Sequence, residues 1–521
     1  MNLYGKFASV GGATLASRVL GFVREALMAA ALGAGPVADA FFAAFRLPNF
    51  FRRFLAEGAF NSAFVPMLGE RLERGGVEEA QRFASTILAV LLVVLVVLTM
   101  LAEIFMGTIV RTVIAPAFVI NPEKLDLTIL LGRIMFPYIA LASLMAMIAG
   151  ILNTFRKYFL AALAPLCLNI CLVSVLGWAI VSGAADRSIG IWLSVGVLVG
   201  GLAQFGLVFW ALRREGFRFT LSRPRITPEV KAFLWLAAPT AAANGIVQIN
   251  LLVGQAIASA QAGAIALLQY ADRLYQLPLG VIGIAIGVVL LPELTRVLAA
   301  GREKEGAEIM DRSVEFALLL ILPASVGLFI LADPITALLY ERGAFTRETT
   351  LAVADAIQWF AIGLPAFMGI KIFTPAFFAR QDTRTPMWLA GLNAIINIVL
   401  SLTLFPVFGH VGIAMATAIS AWINAIALVV LLARRGLYRP SPFASRRIAF
   451  IIWGCVLLAA ICIGAQSWGA DMMLNAGVLI RLVSIFLVIG VAAVSYFAFL
   501  HLTRAFPLSA LRQQMVRPNG N

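Results

Sequence analysis

The chain has 521 residues, 61% of them apolar and 13% charged, against about 45–50% and about 25% in a soluble domain. Its mean hydropathy of +0.95 excludes a soluble enzyme and indicates an integral membrane protein. Apolar runs of about 20 residues are helices, not the short alternating strands of a barrel. The net charge of +14 sits mostly in short gaps between those runs. That is the positive-inside pattern and not a nucleic-acid footprint.

Taken in chain order, apolar runs and breakers predict fourteen spans, at 7–31, 37–66, 83–107, 127–150, 160–182, 190–212, 229–257, 264–292, 314–332, 350–378, 386–408, 411–433, 446–466 and 477–503. The second, seventh, eighth and tenth are long for a core about 30 Å thick, which predicts tilt or kinks. MNLYGKFASVGG reads as the start of the first span and not as a removable signal.

Charges inside spans are costly and are functional candidates by default. The first span carries Ser17, Arg18, Arg24 and Glu25, and i+7 spacing lets Glu25 reach Arg18. The second carries Asp39, Arg46, Arg52, Arg53 and Glu57. Asp39, Arg46, Arg53 and Glu57 fall on one stripe of alternating sign, either a self-paired ladder or part of a site. Arg52 points elsewhere unless Pro48 breaks the register. The seventh span has a polar run, Asn244, Gln248, Asn250 and Gln255, which either lines a cavity or bonds neighbouring helices. The eighth carries Asp272 and Arg273, then GVIGIAIG at 280–287, a glycine-rich face for close packing or a hinge. The cysteines, Cys167, Cys171, Cys455 and Cys462, lie inside apolar runs and read as core packing; with only two histidines, no metal or cofactor is expected.

The gaps 69–82, 153–159, 212–231, 296–312, 379–385 and 434–447 hold 22 Lys and Arg, the alternate gaps 5. This bias places the first set, and both termini, in the cytoplasm. No gap leaves room for a soluble catalytic domain.

The two halves repeat. Arg156 and Asn169 match Arg380 and Asn393 at an offset of 224; FRLPNF parallels DRLYQLP, and FVP parallels LLP, at 227 and 226. The expected architecture is therefore an all-α polytopic membrane protein of fourteen transmembrane helices. Two six-helix lobes, 1–221 and 222–440, are related by a pseudo-two-fold along the membrane normal, with two added C-terminal helices in 441–521. Parallel repeats of this kind hold substrate between the halves. At 1.5 Å per residue, Arg18 lies roughly 16 Å from the cytoplasmic side and Arg273 roughly 14 Å from the other, so each half brings a guanidinium to the midplane. Always charged and forked, guanidinium suits a polyanion such as a diphosphate.

Three segments carry a resemblance: SRVLGFVREALMAAALGAGPVADAFFAAFRLPNFFRRFLAEGAFNSAFVP (17–66), YADRLYQLPLGVIG (270–283) and ERGAFT (341–346). They closely resemble the MurJ (MviN) lipid II flippase family, within the multidrug/oligosaccharidyl-lipid/polysaccharide exporter superfamily. The resemblance implies a transporter, not an enzyme, that moves the undecaprenyl-pyrophosphate-linked peptidoglycan precursor across the bacterial inner membrane by alternating access. It places the family's cavity arginines on Arg18, Arg24, Arg52 and Arg273, with Ser17, Asp39, Arg53 and Glu57 as further polar residues. It puts the lipid tail in a groove made with the last two spans. Some members bind sodium through a carboxylate on span 7; here that span offers Thr240, Asn244 and Asn250 but no acid, leaving the membrane potential or a proton as driver. The expected partners are lipid II and membrane lipids, with the cell-division machinery a further candidate, and the expected state is a monomer. A flippase for another polyprenyl-linked oligosaccharide and a drug antiporter are the competing readings, the latter disfavoured by a basic cavity.

Overall fold

The computed structural model describes residues 3–53, 63–220, 223–439 and 441–503, with side chains from residue 11 on except at 242–243, 284–285, 288–289 and 442–444. Glu57 lies outside the described residues.

Every long regular element among them is a helix: α1 (Leu3–Leu32), α2 (Pro36–Arg52), α3 (Val65–Ile109), α4 (Pro122–Met135), α5 (Tyr138–Thr154), α6 (Tyr158–Ser182), α7 (Asp186–Arg214), α8 (Pro228–Ala258), α9 (Ala264–Ala299), α10 (Glu303–Ile330), α11 (Ala332–Tyr340), α12 (Arg347–Phe378), α13 (Arg384–Phe408), α14 (His410–Arg434), α15 (Pro442–Leu474) and α16 (Val478–Leu502). Ten membrane-span candidates are long and apolar enough to cross a bilayer, or eleven if the bent pair within α8 is one span. Helices α1, α2 and α9 overlap the expected first, second and eighth spans but are not among these candidates. Pro48 does not interrupt α2, which runs on to Arg52.

Helix ends follow local chemistry. Asn121, ahead of Pro122, accepts the Lys124 amide; Thr227 and Thr346 cap α8 and α12 in the same way. Left-handed residues recur at the interval of the sequence repeat: Gly76 and Gly301, Arg156 and Gln381, Gly183 and Gly409. Arg156 and Gln381, the two non-glycine cases, end α5 and α12 with the same bond pattern. The Lys157 amide donates to the Leu152 carbonyl (2.8 Å) and the Asp382 amide to the Phe377 carbonyl (3.0 Å), the six-to-one bond of a Schellman turn.

Asp382 then caps α13. It accepts the Thr385 amide (3.0 Å) and hydroxyl (2.6 Å) and pairs with Arg435 (2.7 Å). These bonds hold its pKa at about 2, below the ordinary 3.8. Because the folded value is the lower one, its contribution is complete above pH 3.8 and fades as the pH falls towards 2. Thermal unfolding of wild type and Asp382→Asn should therefore differ at neutral pH and converge in acid.

Packing divides the chain into two compact units, Met1–Ala266 with Arg342–Phe345, and Leu267–Glu341 with Thr346–Asn521. The border falls after α8, whereas the repeat-based division falls before it. In the second unit the added hairpin is an integral wall: Ile451, Cys455, Leu458 and Cys462 on α15 meet Ala492, Tyr496 and Leu500 on α16 and Leu319 on α10. The buried Tyr496 hydroxyl donates to the Leu319 carbonyl (2.9 Å). At the other end of the hairpin, Asp311 accepts from the Tyr438 hydroxyl (2.7 Å) and the Ser441 amide (3.2 Å), and Arg447 reaches buried Glu315 (2.8 Å).

Candidate functional site

The first unit gathers most of the expected polar residues. Arg24, with 11% of its side chain exposed, donates through Nη1 to Asn169 Oδ1 on α6 (2.9 Å) and through Nη2 to Glu25 Oε1 (2.7 Å). Asn169 Nδ2 in turn donates to the Ser17 carbonyl (3.2 Å), so α6 grips α1 at two levels. The i+7 expectation that Glu25 serves Arg18 is corrected. Glu25 pairs instead with its chain neighbour Arg24. Arg18 is exposed on α1, and Ser17 is half-buried.

On α2, Arg52 Nε donates to Asn49 Oδ1 (3.3 Å), and Arg53 is half-buried.

At Asp39 the alternating stripe is not paired along its own helix. Asp39 is wholly buried and bonds outside its own helix: Lys124 Nζ on α4 donates to it at 2.6 Å, the Gly263 amide at 2.8 Å and the Ala266 amide at 2.9 Å. The last two are donors at the start of α9, where a carboxylate is favoured by unsatisfied amides and the helix dipole. Lys124 also lies 3.9 Å from the Phe118 ring centre. Arg46 Nε donates to Gln255 Oε1 (2.9 Å), while Gln255 Nε2 reaches the carbonyls of Ala43 (3.4 Å) and Ile114 (3.3 Å). Gln255 of the polar run is thus an interhelical bonder. Lys124, one of the five cations in the alternate gaps, and Asn169, noticed only through the repeat, are partners that sequence reasoning did not assign.

Arg273 lies half-buried on α9 in the second unit. Ten residues further along, Gly283 makes room for a side chain and not for a helix backbone: a Cβ there would sit 3.1 Å from Lys371 Cδ of α12. The same unit holds an apolar cavity of about 410 Å³, lined by Leu277 and Pro278 of α9, Pro323 of α10, Leu339 of α11, Cys462 of α15 and Tyr496 of α16. The first unit holds half-buried guanidinium donors, and the second holds a further arginine and an apolar cavity walled in part by the added hairpin.

The family model described as Lipid II flippase MurJ matches residues 28–488. A probable lipid II flippase MurJ of Rhizobium meliloti (strain 1021) is 48% identical over 519 residues, covering 99% of this chain and 97% of its own. The lipid II flippase MurJ of Burkholderia cenocepacia is 33% identical, covering 88% and 90%. Among solved structures, a lipid II flippase MurJ in an inward closed conformation superposes with a TM-score of 0.78 at 25% identity, covering 98% of this chain and 99% of that one. An inward-facing multidrug resistance MATE family transporter of the MOP superfamily superposes with a TM-score of 0.66 at 14% identity, a likeness of fold alone.

Proposed function

The chain belongs to the lipid II flippase MurJ family, and from that membership we propose how it works: it carries lipid II from the cytoplasmic to the periplasmic leaflet of the inner membrane by alternating access, holding the diphosphate on Arg18, Arg24, Arg52 and Arg273. It is a transporter and not an enzyme. Two six-helix lobes, 1–221 and 222–440, alternate around the substrate; 441–521 adds the hairpin, and both termini face the cytoplasm.

The physical need is plain. The head group of lipid II carries charges and amides that hydrocarbon would strip of water, at several kcal/mol for each unsatisfied group. A basic chamber replaces that hydration with fixed donors. The observation that carries the reading is Arg24, 11% exposed on α1 and held by Asn169 and Glu25, on a chain whose relatives are lipid II flippases. Ser17, Arg53 and Glu57 are assigned to the same substrate-binding set. Asp39 acts by positioning, since its oxygens are held by Lys124 and the start of α9.

The prenyl tail has a receptacle in the apolar cavity of the second unit. Ala493, which lines it, is a point of test. Ala493→Trp should fill the cavity and weaken lipid II binding by at least ~10-fold, since each buried CH₂ contributes about 0.8 kcal/mol, while binding of inorganic pyrophosphate stays unchanged. Titration of the purified chain with both probes checks this.

Transport itself is tested in cells depleted of their own flippase. The wild-type chain should restore head-group accessibility of lipid II at the outer leaflet, and Arg273→Ala should not. Full restoration by Arg273→Ala removes that residue from the mechanism. No restoration by the wild type overturns the assignment. No resident metal or cofactor enters the scheme. The drive is the membrane potential or a proton, because beyond Glu229 at its start, which pairs with Arg71, span 7 offers Thr240, Asn244 and Asn250 but no carboxylate for sodium.

A further inference from the structure

Arg24 is bonded on two sides, and the two partners differ in kind. Asn169 is neutral, only 7% exposed, and held in one orientation. Its Nδ2 faces the Ser17 carbonyl, which can only accept, so Oδ1 must face the guanidinium, which can only donate. Glu25 is charged, 2% exposed in its side chain, and joined to Arg24 at 2.7 Å. A buried guanidinium in a membrane needs an anion beside it, and a buried carboxylate needs a cation. Each meets the other's need on a single turn of α1. A forked guanidinium has five donors and prefers paired oxygens, and a diphosphate offers such oxygens in greater number than a carboxylate.

We propose that Asn169 is the positioning residue of Arg24 and that Glu25 is its resident counter-anion, exchanged for the diphosphate when a lipid-linked head group arrives. This rests on the reading of Arg24 as a diphosphate ligand. Asn169 keeps its bond in both states and fixes where one edge of the fork points, adding no charge that would compete with the substrate. Glu25 keeps the empty site electrically balanced and sets a competitor against the bound anion, so that affinity stays low enough for release. Transport requires that the two end states differ in their affinity for substrate, and a carboxylate that returns to Arg24 supplies that difference.

The test uses the full-length chain in nanodiscs, with lipid II bearing a shortened prenyl tail as probe and inorganic pyrophosphate as competitor. Glu25→Gln keeps the shape and an acceptor but removes the charge. It should bind the probe about 10-fold more tightly and, in flippase-depleted cells, restore less head-group exposure than wild type. Asn169→Ala should weaken binding about 10-fold, and Arg24→Ala/Asn169→Ala should bind no worse than Arg24→Ala, the non-additivity of residues acting through one group. Asn169→Asp, which sets a second carboxylate against Arg24, should bind more weakly than Asn169→Ala. This arm leaves residue 25 intact and serves if the Glu25 variant does not fold.

A merely structural role predicts the opposite for Glu25→Gln: weaker binding that tracks a lower unfolding temperature. Unchanged or weaker binding by a folded Glu25→Gln chain overturns the exchange, as does Asn169→Asp binding as tightly as Asn169→Ala, and unchanged binding by Asn169→Ala overturns the positioning. A wild-type chain that does not bind the probe at all defeats the diphosphate reading itself, a separate failure.

Discussion

Asp39→Ala is expected to lower the stability of the folded chain by about 3–5 kcal/mol, the range for removing one partner of a buried ion pair. Lys124, 8% exposed, would be left with its charge in a site from which water is excluded. The amides of Gly263 and Ala266 would lose their acceptor where α9 begins. The loss is read as a fall in the thermal unfolding temperature of the purified protein. Asp39→Leu combined with Lys124→Met should recover most of it, because replacing both members with apolar groups removes the stranded charge along with the pair. An Asp39→Ala chain as stable as wild type would mean that the carboxylate does not hold these elements together.

The second large effect is expected at Gly343 and Gly33. Both are left-handed, at φ +60° and +55°, which costs an L-residue with a Cβ roughly 1–2 kcal/mol. Both also face backbone. A Cβ on Gly33 would collide with the Ala344 carbonyl oxygen, and one on Gly343 with the Ala30 carbonyl oxygen. The two contacts flank the bond from the Ala344 amide to the Ala30 carbonyl (2.8 Å), which ties the 342–345 segment to the end of α1. Neither backbone can yield as a flexible side chain would. Gly343→Ala should therefore be clearly more destabilising than Gly183→Ala, where φ is +62° but nothing lies within 4 Å. The difference between the two unfolding temperatures measures the collision apart from the dihedral. Equal losses at both positions would assign the whole cost to backbone conformation.

Much of this molecule is legible in one dimension. Hydrophobic run length marks the helices, breakers mark their ends, and the repeat found in side chains at an offset of 224 returns in the backbone as the paired turns at Arg156 and Gln381. Arginines inside apolar runs likewise stand out in the sequence, because a guanidinium there is costly. The cysteines Cys455 and Cys462, read as packing residues, do sit in a buried apolar seam.

The partners of those charges were not legible. Asp39 was placed on a stripe with Arg46 and Arg53 because helical periodicity compares residues on one helix; the structure joins it instead to Lys124, 85 positions away, and to the start of α9. Arg24 meets Asn169 across 145 positions. Of the two readings open for Gln255, cavity wall or interhelical bond, the structure takes the second, with Arg46.

Composition, run length and charge position determined by themselves that this chain is a bundle of membrane helices with costly cations set inside it, because the bilayer imposes those requirements on each segment separately. Which carboxylate or amide answers each cation was decided only by tertiary structure. An ion pair or hydrogen bond depends on a few ångströms between side chains from different helices, and no single helix contains that distance.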